Sequence, residues 1–290
     1  MSTLKSRLGQ GELLVVPGVF ELISAMLAAV EDFPALYLSG NGTVASSLGL
    51  PDVGLASYTE MLSRVDAIAQ RVSVPLIADG DTGYGGLLNV DRTVRGYERA
   101  GAAGIQLEDQ QSPKKCGFAS VPDVISLAEM RQKVEVAVAA RQNDDFLIVA
   151  RTDARRRYGL DEALKRAQAF EEAGADIIFI EAPETVDEME TICRVIEQPT
   201  LLNMVDGRSS PVLPKQQIED MGFDMVIFPC TGILAATAAM QRCYAHLAET
   251  GSSLGVNAPM VAFDDFVQLM GFGQAQAFDE RWRVVAPDRD

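Results

Sequence analysis

Histidine is nearly missing from this chain: His246 is the single example among 290 residues. It falls in a stretch of helical period, 233–249, far from every polar cluster, and reads as a surface or internally satisfied helix residue. Hydrolysis by a Ser-His-Asp triad and zinc proteolysis on an H-E-x-x-H helix are thereby set aside. Cysteine is also scarce, four in all. Cys116, Cys193, Cys230 and Cys243 stand far apart without a C-x-x-C pair, which argues against a disulfide frame or a zinc site and fits reduced thiols. Basic residues are in deficit, 25 against 41 acidic ones, for a formal charge of −16. A field of that sign repels nucleic acid and anionic membranes, so any anionic ligand needs local positive groups. No apolar run approaches the roughly 18 residues of a membrane span, and Met1–Gln10 shows no secretory signal. The expectation is a cytoplasmic protein.

What the chain has is a regular alternation. Short apolar or β-branched runs bounded by turn residues occur at 13–17, 35–39, 75–79, 104–108, 146–151, 176–181, 200–204 and 224–229. Between them, 57–71, 90–100, 126–141, 160–173, 185–196 and 215–221 repeat their apolar positions at three and four, as amphipathic helices do. Strands that are apolar along their whole length imply burial on both faces, and hence a parallel sheet covered by helices. Eight such units predict an α/β fold of the closed (β/α)8 TIM-barrel type over residues 1–250. Gly101 and Gly174, each within Ala-Gly-Ala, are placed to end helices in the left-handed conformation. Two stretches break the rhythm: the polar loop 110–123, and 252–290, whose apolar spacing (Phe263, Phe266, Val267, Met270, Phe278) and lone Trp282 predict a C-terminal helical extension, 251–290, of the same domain.

In a parallel barrel the active site lies at the C-terminal strand ends, and here those ends are acidic. The third strand exits as Asp79-Gly-Asp81-Thr-Gly-Tyr-Gly-Gly86 and the fourth as Glu108-Asp109-Gln110. Turn and cap roles account for one acidic end, but several carboxylates on two adjacent ends repel one another, and a bound Mg²⁺ relieves them. The fifth strand ends in Arg151-Thr-Asp153 and the sixth in Glu181-Ala-Pro183. Arg151 either meets a substrate carboxylate or forms a structural pair with Glu181. The second strand exits as Tyr37-Leu-Ser-Gly-Asn41, which is either an oxyanion cradle or a plain turn. In the loop Ser112-Pro-Lys-Lys-Cys-Gly-Phe118, Cys116 beside two lysines is biased toward thiolate; the alternative is an incidental exposed thiol.

Taken together, Tyr37-Leu-Ser-Gly, Asp52 after Leu-Gly-Leu-Pro, Ala78-Asp-Gly-Asp-Thr-Gly-Tyr-Gly, Gln106-Leu-Glu-Asp-Gln, Lys114-Lys-Cys-Gly, Ala150-Arg-Thr-Asp, Glu181-Ala-Pro and Asn203-Met-Val resemble the isocitrate lyase and phosphoenolpyruvate mutase superfamily over residues 12–250. The resemblance implies that Asp79 binds Mg²⁺ (Mn²⁺ being the alternative ion) most directly, with Asp52, Asp81 and Glu108 supporting it. It implies that Ser39, Gly40 and Asn41 cradle a 2-oxo-acid carboxylate, that Arg151 meets the substrate's oxygens, and that Glu181 and Asn203 line the far side. Lys115, Gly117 and Pro229 join this substrate-binding set. It also implies a homotetramer, a dimer of helix-swapped dimers. The Lys114-Lys-Cys-Gly loop is similar to that of the carbon–carbon lyases acting on 2-methylisocitrate or 2,3-dimethylmalate. The reaction implied is retro-Claisen cleavage of a 2-hydroxy di- or tricarboxylate, with Tyr37 or a metal-held water as base and Cys116 as proton donor. Oxaloacetate hydrolysis or decarboxylation, and phosphonate mutation, are the rival reactions on this scaffold; a non-catalytic barrel oligomer is the rival of another class. Phe118 stands where the lyases carry histidine, and Asn203-Met-Val-Asp-Gly-Arg-Ser-Ser-Pro is closer to phosphonomutase-like members. A smaller or more apolar substrate, such as an alkylated malate, suits Phe118.

Overall fold

The computed structural model describes residues 3–115, 121–208 and 210–283. A short α1 (Leu4–Arg7) precedes β1 (Leu14–Val19), α2 (Leu22–Ala29), β2 (Leu36–Leu38), α3 (Gly40–Leu48), α4 (Tyr58–Arg71), β3 (Leu76–Asp79), α5 (Leu87–Arg99), β4 (Gly104–Glu108) and α6 (Leu127–Ala140). Then follow β5 (Leu147–Thr152), α7 (Arg155–Tyr158), α8 (Leu160–Glu172), β6 (Ile177–Ile180), α9 (Val186–Val195), β7 (Thr200–Asn203), α10 (Lys215–Met221), β8 (Met225–Phe228), α11 (Thr231–Thr250), α12 (Phe263–Met270) and α13 (Phe272–Trp282). Neighbouring strands are parallel throughout, and β1 pairs with β8 through Leu14–Met225 and Val16–Ile227, which closes the ring. The expected (β/α)8 barrel is the fold.

Two apolar clusters hold it. One draws on alternate strand residues, among them Leu14, Val16, Tyr37, Ile77, Val149, Phe179 and Ile227, and takes no helical residue except Leu4 of α1; it fills the barrel. The other joins the opposite strand faces, such as Leu36, Leu38, Ile105 and Ile178, to Val65, Val94, Val134 and Phe170 of the surrounding helices. Each large side chain so buried contributes about 1.5–3 kcal/mol. Helix starts follow local chemistry. Ser57 and Glu60 open α4, and Ser126 and Glu129 open α6, as reciprocal capping boxes, each cap being worth about 1 kcal/mol. Gly101 and Gly174 take φ of +95° and +93°, the left-handed conformation that only glycine adopts without penalty.

The structure adds helices that periodicity did not reveal: α1 and α7 are single turns, α2 lacks a polar face, and α3 is rich in Gly, Ser and Thr, which are weak helix formers. The chain after β2 is therefore not a plain turn, because Ser39 caps α3 and Gly40 and Asn41 form its first turn. Two compact units are present, divided between Leu234 and Ala235, inside α11. Within the second unit, the Phe278 and Trp282 rings meet at a tilt of 47° with centroids 6.3 Å apart, His246 Nε2 lies 3.0 Å from the Leu254 carbonyl, and Phe263, Phe272 and Trp282 are exposed. Among the described residues no helix is long and apolar enough to cross a membrane.

Candidate active site

Side chains alternate along a strand, so the parity that buries Ile77, Phe179 and Leu201 inside the barrel carries on to the rim. Two residues beyond each lies Asp79, Glu181 or Asn203, and the same step leads from Tyr37 to Ser39, from Val149 to Arg151 and from Ile227 to Pro229. With Glu108 of β4, these residues line one cavity of about 660 Å³, open mouth included, which Asn41, Asp52, Lys114 and Lys115 complete. The sequence-predicted residues that are described converge here, with one exception: Asp81 lies behind this cavity and lines a second one with Tyr58, Thr82, Tyr84 and Ser112. Lys114 borders both. Cys116, Gly117 and Phe118 lie outside the described residues.

The acidic corner is organised by one ammonium group. Lys114 Nζ stands 2.6 Å from Asp52 Oδ1 and 2.6 Å from Asp81 Oδ1, all three residues being buried. Burial alone pulls Lys114 down, but Asp81, Glu108, Asp79 and Asp52 outweigh it and hold the group well above the usual lysine range. Asp81 is pushed up to about 6, by burial first. Asp79 Oδ1 accepts the amide of Asp81 at 2.9 Å and the Gln106 side-chain amide at 3.4 Å. The opposite oxygen, Oδ2, lies so close to Gly40 that a Cβ there would stand 2.3 Å away. Glu108 Oε1 is buried without a hydrogen-bond partner, and Asp52 Oδ1 meets Lys114 as an ion pair without hydrogen-bond geometry. Among the described residues no three His, Cys, Asp or Glu side chains converge closely enough to hold a metal ion unaided.

Beside Glu108, whose Oε2 lies 3.5 Å from its Nε, Arg151 donates to both oxygens of Asp153 at 2.9 and 2.8 Å, reaches Glu181 at 3.1 Å and stacks 5.1 Å over Phe179. The structural pair and the rim position foreseen for Arg151 are thus both present. Glu181 is pushed up to about 7, by burial before anything else, with Arg151 opposing. Asn203 Nδ2 donates to Glu181 at 3.3 Å, leaving its Oδ1 buried and unsatisfied. Tyr37 donates its phenolic proton to Gln106 Oε1 at 2.6 Å, and burial, then Asp79, raises its pKa well above the usual tyrosine value. Asp81 and Ala182 hold φ of +50° and +56° at the ends of β3 and β6, conformations costing about 1–3 kcal/mol each that cluster at functional sites.

Comparison with known proteins is equally specific. A sequence profile of the phosphoenolpyruvate phosphomutase family matches residues 4–248. The chain belongs to the phosphoenolpyruvate mutase and isocitrate lyase superfamily. Within it, the chain is 44% identical to the 2,3-dimethylmalate lyase of Eubacterium barkeri over 279 residues, 96% of each protein. Its structure is similar to oxaloacetate acetylhydrolase bound to 3,3-difluorooxalacetate (TM-score 0.92, 34% identity, 98% and 97% of the two chains). It is also similar to phosphonopyruvate hydrolase bound to oxalate and Mg²⁺ (TM-score 0.87, 32% identity, 96% and 97%).

Superfamily membership directs attention to lining residues that strand-end reading missed. Val205, Ile227, Pro229 and Cys230 line the same cavity, and so does Arg208. Of these the sequence marks only Pro229 as a site residue: Val205 and Ile227 carry no polar signal, Arg208 lies on a loop whose path the sequence does not reveal, and Cys230 reads as one of four scattered thiols. Gln106 was legible only as part of a motif. Its role, an amide joining Tyr37 to Asp79, depends on three neighbouring strands.

Proposed function

We propose that this enzyme is a Mg²⁺-dependent lyase that cleaves the C2–C3 bond of a small 2-hydroxy di- or tricarboxylate, of the 2,3-dimethylmalate or 2-methylisocitrate type, to a 2-oxo acid and a carboxylate. The observation that carries the reading is that one cavity is lined both by groups suited to bind oxygens, Asp79, Arg151, Ser39, Gly40 and Asn41, and by the apolar Val205, Ile227 and Pro229, which suit alkyl substituents. The 44% identity with a 2,3-dimethylmalate lyase supports it.

The residues fit Mg²⁺, an ion that takes one or two carboxylates and keeps several waters. Asp79 would be the direct ligand, Asp52 and Glu108 would take hydrogen bonds from its waters, and Asp81 would act through the Lys114 ammonium that it shares with Asp52; the unpartnered Glu108 Oε1 is such an acceptor. When bound, the ion supplies Lewis-acid polarisation of the substrate's C2 oxygen. The amides at the start of α3 receive the C1 carboxylate, a favourable place for an anion. Arg151, aimed by Asp153 and Glu181, orients the C2 oxygen. Glu181, titrating at about 7, is matched to accept the hydroxyl proton near neutral pH, whereas Tyr37 stays a neutral phenol that positions that oxygen. As C2–C3 breaks, the electron pair leaves with C3 and Cys116 returns a proton to it.

We further propose a cytoplasmic homotetramer built from helix-swapped dimers, supported by the exposed aromatic residues of α12 and α13. Oxaloacetate hydrolysis is the second reading, favoured by the likeness to oxaloacetate acetylhydrolase. A coupled assay for 2-oxo acid release, with and without EDTA, across 2,3-dimethylmalate, 2-methylisocitrate, isocitrate, citramalate and oxaloacetate separates them. Metal-dependent cleavage of a 2-hydroxy acid that is lost in Cys116→Ala is expected. Turnover of oxaloacetate alone would replace this reading with the second, and no turnover at all would refute both.

A further inference from the structure

Arg151 faces the cavity, yet its orientation is governed from outside the barrel. Asp109 and Thr152 follow inward-facing Glu108 and Arg151, so their side chains emerge on the opposite face of the sheet, toward the helices. There they meet Arg166 of α8. Its Nη1 donates to Asp109 Oδ2 at 3.1 Å and to the Ile125 carbonyl at 2.9 Å, while Nε donates to Glu162 at 2.9 Å. Asp109 Oδ2 also accepts from Thr152 Oγ1 at 2.7 Å, and its Oδ1 accepts the Asp153 amide at 2.9 Å. Asp153 then grips Arg151 with both oxygens.

The same guanidinium ties down the segment that carries Lys114. Ile125 N donates to the Asp109 carbonyl at 2.8 Å, Gln111 N donates to Asp123 O at 2.8 Å, and Gln110 bridges Val124 in antiparallel fashion. The two legs of that segment are thus joined at their base, under the Ile125 carbonyl that Arg166 holds.

Stability alone is a poor reason for this arrangement. The Arg166 side chain is 8% exposed and that of Asp109 fully buried, and a buried ion pair gains little over apolar residues of the same volume once desolvation is counted. Its geometric output is specific, because it holds the backbone amide of Asp153, whose carboxylate grips Arg151, and the foot of the Lys114 segment together.

We infer that Arg166 is a positioning residue: through Asp109 it sets the Asp153 carboxylate that aims Arg151 at the substrate, and through Ile125 it anchors the segment bearing Lys114. The inference rests on the lyase reading for the identity of the substrate, but the geometry it assigns can be tested without turnover.

The test compares wild type with Arg166→Met and Arg166→Lys by three measurements: KM and kcat on the substrate found by the panel, oxalate affinity by calorimetry with Mg²⁺ present, and amide hydrogen exchange at Gln111 and Ile125. Loss of an oriented charged contact predicts that Arg166→Met raises KM and the oxalate Kd by about tenfold or more, and exchange at Ile125 by a similar factor, with Arg166→Lys intermediate. A merely structural role would lower Tm and leave KM, oxalate affinity and local exchange in the folded protein unchanged; that result overturns the inference. If Arg166→Met does not fold, Arg166→Lys decides alone, a rise of about threefold or more in Kd and in Ile125 exchange being required. If wild type turns over nothing on the panel, the lyase reading fails by itself, and oxalate affinity and exchange still decide the role of Arg166. If wild type also fails to bind oxalate, unchanged exchange at Ile125 in both variants overturns the inference, and faster exchange sustains the anchoring it assigns.

Discussion

Gly40→Ala offers a sharp separation of function from stability. A Cβ at this position would stand 2.3 Å from Asp79 Oδ2 and 2.9 Å from its Cγ, whereas carbon contacts settle at about 3.5 Å, so the carboxylate must retreat by about 1 Å. Retreat is open to it, because the obstacle is the end of a side chain, but it breaks the alignment imposed on Oδ1 by the Asp81 amide and Gln106. A displacement of about 1 Å at a reacting centre costs on the order of 10²-fold in rate, equal to about 2.7 kcal/mol of barrier. The fold suffers less. Alanine gains about 1 kcal/mol over glycine in a helical turn, which offsets an overpacking cost of about 1–3 kcal/mol, and Tm should fall by less than about 8 °C. The assay is kcat/KM as a function of Mg²⁺ concentration beside a thermal melt: a loss of about 100-fold, with more Mg²⁺ needed for half-maximal rate, is expected. A Gly40→Ala enzyme within about threefold of wild type, with an unchanged Mg²⁺ requirement, would refute the proposed contact between this glycine and the metal carboxylate.

Glu181 is pushed from 4.5 to about 7 by burial, so between those pH values the native state keeps a proton that the unfolded chain releases, and this group makes stability fall as pH rises through that window. Glu181→Gln should abolish that slope in urea midpoints, leaving the variant more stable than wild type at pH 8 while inactive; parallel pH profiles would contradict the assignment. Lys114→Met leaves Asp52 and Asp81 without their shared cation, a loss worth roughly 3–5 kcal/mol for a buried pair, and added Mg²⁺ should recover part of the lost Tm; a melt insensitive to Mg²⁺ would count against the metal assignment. The Cys193 thiol is raised to about 12, chiefly by burial, so iodoacetamide at pH 8.5 should leave it unmodified in peptide maps of the native protein, and rapid labelling would contradict that burial.

Much of the site was legible because two regularities compound. Strand apolarity marked the barrel, and the barrel then placed the polar strand ends, Asp79, Glu108, Arg151 and Glu181, at one rim. Short-range rules also served: Gly101 after α5 and Gly174 after α8 take the left-handed conformation that their place in Ala-Gly-Ala predicts. The reading weakened where the local signal was faint. The first turn of α3 reads in sequence as either an oxyanion cradle or a plain turn, because Gly40-Asn-Gly42 has low helix propensity and the Ser39 cap, on a strand end held by its neighbours, makes it helical.

Sequence by itself determined that eight buried strands make a barrel and which chemical types crowd its rim, since both follow from uninterrupted strand apolarity and the identity of the strand ends. The tertiary structure alone decided how those groups are paired. Lys114 lies between Asp52 and Asp81, Gln106 joins Tyr37 to Asp79, and Arg166 reaches Asp109 across 57 positions of chain. Such pairings depend on ring closure and on the height at which each helix packs against the sheet, distances that no local spacing encodes.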